Sequence, residues 1–158
     1  MRPVRIEFIC LGNICRSPLA EGVFRHLATE AGLADHFEIA SAGTGGWHVG
    51  DPPDPRTIEV ARRHGVDVSG QRGRVFNPAH LQHYDEILAM DLNNLAHLER
   101  FSKPGQRATT GLLLDALGPR APVREVPDPY MGGPADFERV YDLVHAACVV
   151  LLERVRPR

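Results

Sequence analysis

The chain has 158 residues, 43% of them hydrophobic, and a net charge of -2; that length closes one core and not two, so a single domain over residues 1–158 is predicted. The charge gives no global attraction to nucleic acid or to an anionic membrane, although every one of the 18 basic residues except Lys103 is arginine. Three cysteines without a spaced framework exclude a disulfide scaffold and leave metal, redox or nucleophilic roles to be tested.

The first apolar run is too short for a signal peptide or a membrane span, which predicts a cytoplasmic setting. Residues 4–9 read as a buried strand, and "CLGNICRSP" follows at 10–18. Residues 18–31 read as a helix with Ser17 at the N-cap, Pro18 in the first turn and Leu19, Val23, Leu27 and Ala31 at four-residue spacing, stopped by Gly32. Residues 37–42 form a second predicted strand. A helix capped by Asp54 then starts at Pro55 and ends before Gly65.

Residues 84–90 are the third predicted strand, followed by a helix over 91–101, and residues 110–114 are the fourth. The proline-rich segment 118–134 is predicted to be a long ordered loop of functional importance. Phe137, Val140, Tyr141, Val144, Cys148, Leu151, Leu152 and Val155 form the apolar stripe of a closing helix, so Cys148 reads as a small buried hydrophobe. Strands alternating with helices predict an α/β domain with a parallel sheet. His80 and His83 lack a Glu or Cys at ligand spacing and read as surface polar residues; no metal is predicted.

Chemistry concentrates in the loop after the first strand. Cys10 falls at the carboxyl end of that strand, where parallel sheets form their ligand crevice, and the loop feeds a helix N-terminus. Residues Leu11, Gly12, Asn13, Ile14 and Cys15 can wrap with N–H groups pointing inward, and Gly12 and Asn13 tolerate the left-handed conformations such a nest needs. Arg16 adds a planar fork for two phosphoryl oxygens, and the same field favours the thiolate of Cys10 as a nucleophile aimed at phosphorus. A nucleotide-binding loop of the GxxxxGK type is excluded because the loop contains no lysine.

With "CLGNICRSP" joined by "SAGT" at 41–44, Trp47, "PDPR" at 53–56, "MD" at 90–91, "DPY" at 128–130 and "DFERVYDLV" at 136–144, the chain resembles the low molecular weight protein tyrosine phosphatases along nearly its whole length. The resemblance implies a four-stranded parallel sheet flanked by helices on both faces, no cofactor or metal, and a phosphocysteine intermediate. It implies Cys10 as nucleophile, Arg16 as phosphate clamp, Ser17 as the hydroxyl that stabilises the Cys10 sulfur, and Asp128 as general acid. Asn13 and Ser41 would hold the loop, and Trp47 and Tyr130 would wall the substrate slot. The implied substrates are phosphotyrosine-containing proteins and aryl phosphates, with inorganic phosphate as product. Cys15, five residues from Cys10 in a curled loop, is a candidate partner for a protective disulfide under peroxide.

Two positions depart from the family pattern. Met131 stands where many relatives carry a second tyrosine, and Gln71 where they often carry a histidine that supports the loop. Three rival readings share parts of this pattern. An arsenate reductase needs resolving cysteines, and none lies between Cys15 and Cys148. A protein arginine phosphatase carries threonine where Ile14 sits. A phosphate-binding module without catalysis needs neither Cys10 nor Asp128.

Overall fold

The computed structural model describes residues 2–157. Four strands, β1 (Val4–Cys10), β2 (Phe37–Gly43), β3 (Glu86–Ala89) and β4 (Thr109–Leu112), lie in one all-parallel sheet in the order β2-β1-β3-β4. Four helices connect and close it: α1 (Arg16–Glu30), α2 (Pro55–Arg63), α3 (Leu92–Glu99) and α4 (Pro134–Val155). Because β1 is paired on both sides, the chain turns one way after β1 and the other way after β2. The resulting switch point lies at the carboxyl end of β1, where open α/β sheets hold ligands.

Alternation along β1 sorts the core into two layers. Ile6, Phe8 and Cys10 face α1, α2 and α4, where Phe24 packs against Phe8 and edge-on to Phe37, and Val60, Val144, Cys148 and Leu151 fill the rest. Ile9 faces the other layer with Phe76, Leu81, Ile87, Leu98 and Leu112, beneath α3. Cys148 is wholly buried in the first layer, and burial pushes its thiol pKa well above the ordinary range.

Glu7 interrupts this pattern. It points into the second layer, fully buried, and meets His80 Nδ1 at 2.9 Å, while His83 pairs with Glu38 at 2.7 Å. Both histidines of that segment are therefore committed to carboxylates, and no group of three or more His, Cys, Asp or Glu among the described residues gathers at a metal-binding distance.

Several boundaries move for identifiable reasons. α1 begins two residues earlier than its sequence pattern, with Cys15 at the cap; Ser17 caps nothing because its hydroxyl is engaged inside the loop. β3 starts at Glu86 rather than at residue 84, since Asp85 collects the Arg5 N–H and the side chains of Arg2 and Arg107. β4 stops at Leu112, where a run of 3-10 turns begins and continues to Arg120, broken at Gly118 with φ 67°. By contrast α2 starts where predicted, with Asp54 Oδ1 accepting the Arg56 N–H at 2.8 Å, and Gly32 and Gly65 stand in left-handed conformations past α1 and α2.

Candidate active site

The loop leaving β1 is shaped from outside. The carbonyls of Cys10, Leu11 and Ile14 accept the N–H groups of Thr44, Gly45 and Asp54 at 2.9, 2.9 and 2.8 Å. In a trans peptide the next N–H points opposite to the carbonyl, so those of Leu11, Gly12 and Cys15 turn to the concave side. This makes an anion nest of backbone donors at the N-terminus of α1. The loop can sit this close to β2 because position 43 is glycine: a Cβ there would lie 2.7 Å from the Leu11 carbonyl oxygen.

Asn13 is the one non-glycine residue with positive φ among the described residues, at 57°. Its amide group fixes that conformation from three sides, donating to Ser17 Oγ at 2.7 Å and Ser41 Oγ at 3.0 Å and accepting the Arg74 N–H at 2.9 Å. Ser41 passes its own proton to Glu21 at 2.7 Å. Ser17 Oγ, already accepting from Asn13, lies 3.0 Å from Cys10 Sγ and 3.5 Å from the Ala42 carbonyl, so its proton has the sulfur as its nearer acceptor.

Arg16 is 2% exposed. Its Nη1 donates to Asp91 Oδ2 at 2.7 Å and to the Val126 carbonyl at 3.0 Å, and its Nη2 lies 3.8 Å from Asp128 Oδ2. Burial works against the charge, but Cys10, Asp91 and Asp128 outweigh it and hold the pKa above the ordinary arginine value. Asp128 sits at the tip of the predicted long loop. That loop is anchored by the Val126 N–H on the Met90 carbonyl and by Arg56, which donates to the Tyr130 and Gly132 carbonyls.

These groups open on one cavity of about 340 Å³, lined by Cys10, Gly12, Arg16 and Asp128 at its polar end and by Leu11, Ile14, Trp47, Tyr130 and Met131. Arg56 braces its outer side, held by Asp54 on both carboxylate oxygens and stacked 4.5 Å from the Phe137 ring centroid. Cys15 is buried beside Thr57, and burial pushes its thiol up to about 12. A sulfur exchange with Cys10 would therefore draw on a thiol that ionises poorly at neutral pH.

Every residue singled out in the loop and at the walls thus meets at one place. Gln71 does not join them: its Nε2 donates to the Pro18 carbonyl at 3.0 Å, bracing the first turn of α1 and not the phosphate loop itself. Sequence reasoning missed three supports, Asp91, Glu21 and Thr57. Only Asp91 carried a usable signal, a carboxylate directly after a strand that ends on the ligand side of the sheet.

A thiol at a switch-point nest of backbone donors, beside a buried arginine, defines a cysteine-centred anion site of the α/β class. Comparison with known proteins narrows this. A family model described as low molecular weight phosphotyrosine protein phosphatase matches residues 5–158. The low molecular weight protein-tyrosine-phosphatase YfkJ of Bacillus subtilis is 40% identical over 97% of this chain and 96% of its own. A crystal structure of that protein superposes with a TM-score of 0.89, covering 99% of this chain and 96% of its own at 37% identity. A pig low molecular weight phosphotyrosine protein phosphatase is 39% identical over 96% of this chain and 95% of its own. A Drosophila arginine phosphatase superposes with a TM-score of 0.88 at 30% identity, covering 96% of this chain and 98% of its own. The chain belongs to the low molecular weight phosphotyrosine protein phosphatase family.

Asp91 is expected to control Arg16 from behind. Asp91→Asn should lower kcat/KM for aryl phosphates about 10- to 100-fold and weaken inhibition by inorganic phosphate in parallel. Phosphate inhibition as strong as in the wild type would mean that Arg16 keeps its orientation without this carboxylate.

Proposed function

We propose that the protein hydrolyses phosphotyrosine and aryl phosphate monoesters through a phosphocysteine intermediate. Cys10 Sγ attacks phosphorus, the P–O bond to the phenol breaks, and Asp128 gives the departing oxygen its proton. Water then attacks the phosphocysteine, Asp128 takes back a proton, inorganic phosphate leaves, and the Ser17 hydroxyl stabilises the released thiolate. Arg16 and the nest N–H groups grip the equatorial oxygens throughout. The observation that carries this reading is the 3.0 Å approach of Ser17 Oγ to Cys10 Sγ, on a cavity that also holds Arg16 and Asp128.

A binding module would need the grip without the thiol or the acid. For an arginine phosphatase the fold comparison is neutral, since TM-scores of 0.88 and 0.89 do not separate the two kinds of relative. The wall chemistry favours a ring: Ile14 offers no hydroxyl to a charged guanidinium, and Trp47 and Tyr130 offer aromatic faces. No helix among the described residues is long and apolar enough to cross a membrane, and all three cysteines are free thiols. We place the protein in the cytoplasm, where its nucleophile would stay reduced.

Cys10→Ser should abolish turnover while phosphate binding, followed by calorimetry, stays measurable, because the nest and Arg16 remain; substantial residual activity would remove Cys10 from the mechanism. Asp128→Asn should cost about 100- to 10,000-fold on phenyl phosphate and far less on p-nitrophenyl phosphate, whose phenolate leaves unprotonated. An equal loss on both substrates would make Asp128 a positioning group. On matched peptides, phosphotyrosine should exceed phosphoserine and phosphoarginine at least about tenfold in kcat/KM. A preference for phosphoarginine would change the substrate and leave the thiolate chemistry in place.

A further inference from the structure

Of the nine large hydrophobic side chains that stand exposed among the described residues, four line the cavity and two more stand over Gly46, next to Trp47 in sequence. Leu11, Trp47, Tyr130 and Met131 line the cavity, with Met131 92% and Trp47 71% exposed. Val49 and Val75 extend the bank beyond Trp47, both within 4 Å of the space above Gly46. Single exposed apolar residues need no explanation, but a contiguous set around a catalytic opening marks a contact surface.

The bank is built to keep its shape. Gly50 N–H bonds the Gly73 carbonyl at 2.9 Å and Gly73 N–H bonds the Asp51 carbonyl at 2.7 Å. The two segments approach so closely that a Cβ at position 73 would lie 2.1 Å from the His48 carbonyl oxygen. On the opposite bank, Arg56 fixes the backbone of Tyr130 and Gly132 on either side of Met131.

Charge narrows the partner. The arginines at the cavity are paired, Arg16 with Asp91 and Arg56 with Asp54, and Arg72 turns to the Ser69 and Gln71 carbonyls. Asp51 and Asp128, in contrast, keep roughly half of their side-chain surface in water. Acidic side chains beside a phosphotyrosine would give up hydration against this apolar rim, whereas bulky apolar ones would find Met131, whose flexible thioether adapts to varied shapes, and the two valines.

We propose that this collar reads the residues flanking the phosphotyrosine and selects substrate segments with bulky apolar neighbours over acidic ones. The proposal rests on the phosphotyrosine phosphatase reading and adds the substrate class.

The test uses peptides of equal length with a central phosphotyrosine flanked on both sides by Leu, by Ala or by Glu, with p-nitrophenyl phosphate as a substrate that has no flanking residues. For the wild-type protein kcat/KM should fall in the order Leu, Ala, Glu, with at least about tenfold between the ends. In Met131→Lys combined with Val75→Lys the Leu-to-Glu ratio, normalised to p-nitrophenyl phosphate, should drop at least about tenfold; Met131→Lys alone serves if the double variant does not fold, since its side chain packs against almost nothing. Equal kcat/KM for the three peptides, or a ratio unchanged in the variants, overturns the collar and leaves the phosphatase reading intact. No turnover of any phosphotyrosine peptide or of p-nitrophenyl phosphate overturns the phosphatase reading instead. A wild-type protein that sediments as a dimer, with specific activity falling as its concentration rises and recovering in Met131→Lys, assigns the collar to a second copy and overturns the substrate role.

Discussion

A guanidinium almost wholly removed from water governs the architecture around the site. Stripping a charge of its hydration costs several kcal/mol unless opposite charge and hydrogen bonds replace it, and Arg16 draws those replacements from three separate parts of the chain. Asp91 comes from the end of β3, the Val126 carbonyl and Asp128 from the long loop before α4, and Cys10 from the end of β1. The same contacts that make the charge tolerable in the interior bring Cys10, Arg16 and Asp128 to one cavity. The switch-point topology makes this possible, because β1 and β3 are neighbours and end side by side.

The loop itself depends on a second condition, a left-handed residue that is not glycine. An asparagine pays for its strain by using every hydrogen-bonding group it has, and Asn13 does so against Ser17, Ser41 and the Arg74 backbone. Glycine would adopt the same φ more easily but would leave Ser17 without the donor that directs its proton to the sulfur. The local backbone geometry and the leaving-group chemistry of Cys10 are therefore served by one side chain. Gln71 lies outside this network, so the departure at that position affects the helix start more than the nest.

Around this polar centre the chain spends its charges in pairs. Asp54 with Arg56 and Arg16 with Asp91 are internally compensated, which leaves much of the cavity mouth to apolar contact. Away from the site, Glu7 lies buried in the middle of the central strand, where an aliphatic residue would pack more simply, and meets the half-buried His80. Its effect is to fasten the segment before β3 to β1, three positions upstream of Cys10.

The sequence by itself determined the parts whose causes are local. Strand alternation, the Asp54–Pro55 cap and the glycines after α1 and α2 depend on residues within a few positions of one another, and "CLGNICRSP" carries the thiol, the nest and the buried arginine in one contiguous stretch. Tertiary structure decided whatever depends on residues far apart in the chain. Ser17, a plausible helix cap by pattern, turned inward because Cys10 and Asn13 offered its hydroxyl better partners once the loop had closed. Asp91 became the counter-charge of a residue 75 positions away, and Val49 and Val75 became one bank because two glycines allow their backbones to touch. Pairings of this kind leave no periodic trace along the chain, since they are selected by desolvation and close approach only after the sheet has brought the segments together.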